Sequence, residues 1–240
     1  GEERGVNLTL LENMPMGSGL GSSAASAVAA LTATNALLGD PLKPEALLPF
    51  ALEGEKIACG SKHGDNVAPS LLGGIVFIRS YDPLEVIKIP FSQSLWCVVV
   101  SPRGVEVRTE KARSVLPPTV PIDVMVRQNA YIAGLIAGFI NEDNELISKS
   151  MNDEVVEPAR AQLMPSFYEA KEDALKAGAL GCGLSGSGPS MFALCPIQHA
   201  AERVGGAIAA RWDILGIKSD IFISKINTRG AYCKSLSHSL

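Results

Sequence analysis

Pro15-Met16-Gly17-Ser18-Gly19-Leu20-Gly21-Ser22-Ser23-Ala24-Ala25 is the stretch that decides how the rest of this chain is understood. Its three glycines and three serines run straight into an alanine-rich segment that continues to Leu38 and is ended by Gly39, Asp40 and Pro41. Glycine reaches dihedrals closed to other residues and lets a ligand approach the backbone closely. Ala24 onward is a strong helix former, with Ser22 or Ser23 expected as its N-cap. A glycine-rich loop that opens a helix aims unpaired N–H groups and about half a positive charge at one spot. That combination is a phosphate site.

Two familiar phosphate loops are excluded. A Walker A loop needs Lys-Ser or Lys-Thr after its last glycine, and here Ser22-Ser23 follow Gly21. A dinucleotide fingerprint needs a different glycine spacing and an acid ending the second strand, whereas Asp40 follows a helix stop. The bland alternative is a glycine loop that only turns a strand into a helix.

Bulk properties narrow the class. At 240 residues the chain can build one large domain or two modest ones. Its 47% hydrophobic and 19% charged residues suit a globular enzyme and argue against disorder. A formal charge of −4 gives no footprint for nucleic acid, and no Lys/Arg run marks a membrane surface. Apolar stretches fall short of a membrane span, and Gly1-Glu2-Glu3-Arg4 has no leader character. No nucleic-acid partner and no membrane are expected. Cys59, Cys97, Cys182, Cys195 and Cys233 are odd in number and lack metal-ligand spacing. They read as reduced core thiols of a cytoplasmic protein, or of a plastid stroma in a plant.

Periodicity predicts α+β organisation. Val6–Leu11 alternates as a strand, and Pro44–Cys59 reads as a helix with Leu47, Leu48, Ala51 and Leu52 on its apolar side. Gly73–Ser80 and Glu85–Pro90 read as a hairpin, and Leu95–Ser101 as a buried strand. Helices are expected at Thr109–Val115, Ile122–Ile140, Glu142–Met151, Ser166–Ala177 and Ala200–Leu215. Met191–Leu194 and Ser219–Ile226 complete the strands. A domain boundary is expected near residue 90, giving 1–90 and 91–240.

The Pro15–Ala25 string resembles the second, ATP-binding motif of the GHMP kinases. Gly183-Leu184-Ser185-Gly186-Ser187-Gly188-Pro189-Ser190 resembles their third. Within that family His63-Gly64-Asp65-Asn66-Val67-Ala68-Pro69, Thr109-Glu110-Lys111-Ala112-Arg113, Glu157-Pro158-Ala159-Arg160 and Asn227–Ala231 are similar to segments of the homoserine kinases. The resemblance covers nearly the whole chain. It implies a two-domain α+β fold with a ferredoxin-like C-terminal domain, and an enzyme that phosphorylates the L-homoserine hydroxyl with ATP and Mg2+ on the route to threonine. It also suggests a homodimer.

The resemblance assigns roles by position. Pro15, Met16, Gly17, Ser18, Gly19, Leu20, Gly21, Ser22, Ser23, Ala24 and Ala25 bind ATP, with Gly186, Ser187 and Gly188 from the third motif. Ser22, with Ser23 adjacent, and Glu55 hold magnesium, Glu53 being the rival carboxylate. Asn66, Thr109, Arg113 and Arg160 hold the amino acid, a bidentate guanidinium suiting its carboxylate. Phosphoryl transfer asks the protein mainly for positioning and charge compensation. Mevalonate kinases place an aspartate in the region of Asn66, and an amide takes no proton at neutral pH. Transfer without a strong protein base is therefore expected, with Asp65 as the challenger.

The family's first motif has no counterpart in this sequence. Val6–Leu11 is accordingly expected to carry an unpaired strand edge. ATP binding is expected of the chain as given, and turnover is left open. The alternatives are a catalytically weak, truncated ATP-binding module and a GHMP kinase for another small alcohol.

Overall fold

Seven alanines stand among residues 22–37, which form the first helix, α1 (Ser22–Leu37). The computed structural model describes residues 5–15, 17–59, 64–91 and 94–234. The chain divides into two compact units. One comprises Gly1–Met14, Gly21–Ile87 and Thr228–Leu240, the other Pro15–Leu20 and Lys88–Asn227.

In the first unit α1 is followed by α2 (Pro44–Cys59), α3 (Gly64–Leu72) and a hairpin of β1 (Ile75–Tyr81) and β2 (Leu84–Ile89), whose last two residues pass into the second unit. The apolar side expected of α2 is the buried one. Leu47, Leu48, Ala51 and Leu52 close a core with Ala24 and Val28 of α1 and Val67, Ala68 and Leu71 of α3. Asn35, near the end of α1, ties down the connection to α2 by donating to the Leu42 carbonyl (3.0 Å) and accepting from the Leu42 amide (3.3 Å).

Two local expectations are corrected. Neither Ser22 nor Ser23 caps α1; Gly21 holds the N-cap position in the left-handed conformation, and no side chain caps the helix. The serine hydroxyls are engaged by carboxylates instead, Ser22 by Glu12 and Ser23 by Glu55. Val6–Leu11 is not a strand. Among the described residues no strand pairs with it, and Val6, Leu8, Leu10 and Leu11 are all exposed, so alternation found neither a ladder nor a core to bury it.

The second unit is built on β3 (Trp96–Pro102), α4 (Thr109–Ser114), α5 (Ile122–Asn141), α6 (Asn144–Ser150), α7 (Val156–Ala161), α8 (Phe167–Lys176), β4 (Gly181–Leu184), β5 (Met191–Cys195), α9 (Gln198–Ile214) and β6 (Ser219–Lys225). The sheet order is β4-β5-β3-β6, every neighbouring pair antiparallel. In that register Val98 lies opposite both Ala193 and Ile223. This is the ferredoxin-like β-α-β-β-α-β pattern, with its first crossover expanded to five helices. Alternate residues of β3 (Val98, Val100) and β5 (Met191, Ala193, Cys195) face one side, as period-two geometry requires. They meet Ala170 and Ala174 of α8 and Ala201, Val204, Ile208 and Trp212 of α9, which recur every three or four residues. The α+β class and the ferredoxin-like second domain stand as the family resemblance implied.

Candidate active site

Glycines decide the geometry of the phosphate loop. In the second unit Ser18 and Gly19 pack against the turn joining β4 to β5. The Ser190 amide donates to the Ser18 carbonyl (3.1 Å), and the Ser185 hydroxyl donates to the Gly19 carbonyl (3.0 Å). The Ser18 hydroxyl folds back onto the Pro15 carbonyl (2.6 Å). Gly19 has φ +78°, and a Cβ there would lie 2.2 Å from the Ser185 carbonyl oxygen and 2.8 Å from that of Gly188. Backbone meets backbone, so only glycine fits. Two carbonyls of the loop are thereby satisfied by the third-motif turn, which removes their negative ends from competition at an anion site.

The turn is itself closed by the Ser185 amide on the Ser190 carbonyl and the Gly188 amide on the Ser185 carbonyl, both 2.9 Å. Gly186 is exposed and Gly188 buried. The Ser187 hydroxyl donates to the Gly188 carbonyl (3.3 Å). Arg160, on α7, places Nη1 on the Gly186 carbonyl (2.8 Å) and Nε on the Ala112 carbonyl of α4 (3.1 Å). One guanidinium thus joins the turn to the helix that carries Thr109 and Arg113, both exposed. Beside it, Glu157 is buried and receives Lys171 Nζ on both oxygens (2.6 and 2.8 Å). Burial pushes the Glu157 carboxyl above the usual range while Lys171 pulls it down.

In the first unit Gly21 continues the loop, and a Cβ on it would lie 2.8 Å from Oδ1 of Asn66. The half-buried Asn66 carboxamide therefore sits directly on the glycine at the mouth of α1, while Asp65 is exposed. The Ser23 hydroxyl donates to Oε1 of Glu55 (3.1 Å). Glu55 is only 2% exposed, and its Oε2 is buried without a hydrogen-bond partner. Glu53 lies exposed on the opposite side of α2. Ser22 approaches Glu12 rather than Glu55. Ala24 is fully buried, and the Ala25 amide begins the helical ladder on Gly21 (3.0 Å). Leu20 is half-buried and Gly17 exposed; Met16 and His63 lie outside the described residues.

Among the described residues no three His, Cys, Asp or Glu side chains group to hold a metal. A hard divalent cation needs fewer protein ligands than that, usually one or two carboxylates, with water and phosphate supplying the rest. The unpaired Oε2 of Glu55 beside a serine hydroxyl is chemistry that fits it.

Comparison with known proteins supplies the family. The profile for the GHMP kinases N terminal domain matches residues 1–74, and that for the GHMP kinases C terminal domain matches 135–214. A homoserine kinase of Chlorobium phaeobacteroides is 47% identical over 228 residues, covering 94% of this chain and 71% of the relative. The chain belongs to the GHMP kinase family. The crystal structure of homoserine kinase from Cytophaga hutchinsonii superposes with a TM-score of 0.89 at 50% identity, over 91% of this GHMP kinase and 69% of that chain. Mevalonate kinase of L. major, at 20% identity and a TM-score of 0.71, shares the fold.

Sequence reasoning passed over two features of this kinase. Ser185 stands inside the third motif, but its hydrogen bond to Gly19 depends on a contact 166 residues away. Glu157 stands three residues before Arg160, a spacing that places both on one face of a helix. That signal was available; the partner, Lys171, was not.

Proposed function

We propose that this GHMP kinase transfers the γ-phosphoryl group of ATP to the side-chain hydroxyl of L-homoserine, giving O-phospho-L-homoserine and ADP. The observation that carries the substrate is the 47% identity to a homoserine kinase along 94% of the chain. Within that reading Gly17–Ser23 cradles the triphosphate through backbone N–H groups, supported from behind by Gly186, Ser187 and Gly188. Arg113 and Arg160 take the substrate carboxylate, Thr109 lies along the amino acid, and Asn66 orients the hydroxyl. Glu55 and the hydroxyls of Ser22 and Ser23 would hold Mg2+, which when bound neutralises charge on the phosphate oxygens.

The hydroxyl oxygen forms the new bond to phosphorus as the bond to the ADP oxygen breaks. The hydroxyl proton leaves to phosphate or solvent, because a carboxamide such as that of Asn66 does not accept it. Positioning and electrostatic stabilisation then carry the rate. What supports a base-free step is that Asn66, and not Asp65, lies against Gly21 of the phosphate loop.

The test is ADP release from ATP across a panel of acceptors. Release dependent on homoserine, and absent with mevalonate, galactose or shikimate, is the expected result; no homoserine-dependent release rejects the proposal. In the same assay Asp65→Asn is expected to stay within about tenfold of the parent kcat, less than the 10²–10⁴-fold typical of a lost general base. Loss of turnover with both affinities intact would instead make Asp65 the base.

A further inference from the structure

α7 is six residues long, too short to hold itself as a helix in water. Its orientation must come from what it touches. At its N-terminus Oδ1 of Asp153 accepts from the Val155 and Val156 amides (2.9 and 2.8 Å). That contact fixes where the helix begins but leaves its roll about the axis unset. Ala161, at the end of the helix, packs into the core of the unit, and the polar hold on the roll comes one residue after Val156. Both carboxylate oxygens of Glu157 are held by Lys171 of α8, with the two side chains only 10% and 14% exposed. The same carboxylate lies against β4, with Oε2 3.6 Å from where a Gly183 Cβ would stand. Arg160 follows three residues on, about 60° from Glu157 around the helix. Any rotation of α7 that released Glu157 would swing the guanidinium off the Gly186 and Ala112 carbonyls.

A buried ion pair adds little net stability, because desolvation offsets its Coulomb attraction. We propose that the Glu157–Lys171 pair is a positioning device for the reaction: it sets the roll of α7, and through Arg160 it fixes the third-motif turn relative to the helix bearing Thr109 and Arg113. Neither residue touches a reactant. The inference rests on the substrate role given to Arg160 above.

The decisive variant removes the pair without leaving a buried charge: Glu157→Leu with Lys171→Met. Similar apolar replacements of buried pairs keep or raise stability, so the melting temperature is expected to hold. The homoserine KM is expected to rise about tenfold or more, and the ATP KM by less, a tenfold effect corresponding to the loss of one well-oriented contact. Placed on an Arg160→Lys background the double change adds no further loss, since both act through one guanidinium. Amide hydrogen exchange in 109–114 and 183–188 quickens in the native protein. Should the apolar variant not fold, Glu157→Asp withdraws the carboxylate by one methylene while keeping its charge, and the same KM and exchange changes are expected.

An unchanged homoserine KM in a folded variant overturns the proposal, as does a loss that multiplies with that of Arg160→Lys. Exchange is measured on the protein alone. If homoserine is not the acceptor, the parent enzyme shows no turnover with it and the function proposal fails. Unchanged exchange at 109–114 and 183–188 then rejects the positioning role, and faster exchange upholds it.

Discussion

Three loop glycines share a sequence motif and a positive φ, yet their surroundings differ. Gly17 has φ +65° with nothing within 4 Å of a Cβ position, whereas Gly19 has φ +78° and meets carbonyl oxygens at 2.2 and 2.8 Å. Gly21, at φ +75°, meets Cγ, Oδ1 and Cβ of the Asn66 side chain at 2.8, 2.8 and 2.9 Å. Alanine at Gly17 therefore costs only left-handed backbone strain, about 1–2 kcal/mol. At Gly19 the same strain is joined by overpacking of backbone against backbone, and the total is expected to exceed about 3 kcal/mol. Urea unfolding of Gly17→Ala and Gly19→Ala gives the order; equal costs would contradict the back-to-back packing of the two turns. The glycines were legible in the sequence because each position has a positive φ, which glycine adopts without the strain a side chain brings. The fate of Ser22 and Ser23 was not legible, since a hydroxyl that could cap a helix is equally able to serve a carboxylate brought from another element.

A residue's role is then set by the helix face on which it falls. On α2 the buried positions Leu47, Leu48, Ala51 and Leu52 continue directly to Glu55, so a carboxylate ends an apolar stripe. Glu53 is two residues earlier, about 200° around the helix, and is exposed. Glu55→Gln keeps the shape and the acceptor for Ser23 but removes the anionic oxygen. It is expected to lower kcat about 100-fold or more and weaken the dependence on Mg2+, while leaving thermal stability unchanged or raised because a buried charge is gone. Glu53→Gln is expected to stay within about twofold in kcat, as for an exposed surface substitution. Magnesium titrations of both variants decide between the two glutamates, and a Glu55→Gln enzyme with parental kcat would remove that residue from metal binding. Long, strongly patterned helices such as α2, α5 and α9 were readable from periodicity. The short α7 and β4 were not: Gly181-Cys182-Gly183-Leu184 is poor strand sequence and becomes a strand only through its ladder to β5. Val6–Leu11 failed in the opposite direction, its alternation finding no partner among the described residues.

Across the molecule, two cores with different compositions follow from one chain that enters the second unit at Pro15, leaves it at Leu20 and returns at Lys88. Alternation marked the individual strands of the sheet, but the order β4-β5-β3-β6 depends on pairings between distant segments that no local pattern encodes. The thiols report how tightly the second core closes. Cys97, Cys182 and Cys195 all lie in that unit, and burial pushes their thiols up to about 11, about 12 and about 11. Cys233 is exposed. Alkylation requires the thiolate and an open path to it. At pH 8 a thiol titrating near 12 is about one part in ten thousand thiolate, so Cys182 is doubly protected. Iodoacetamide labelling followed by peptide mapping is expected to modify Cys233 in the native protein, half-buried Cys97 far more slowly, and Cys182 and Cys195 only in denaturant. The linkage has a definite sign. These groups bind protons more tightly folded than unfolded, so their contribution is intact below about pH 9 and is lost as pH climbs towards 11–12. Native labelling of Cys182 and Cys195 should accordingly begin only where alkaline unfolding begins. Modification of Cys182 at pH 8 at the rate of Cys233, with the fold intact, would show that the sheet is open at β4 and that the turn resting on it is not a rigid support for the phosphate loop.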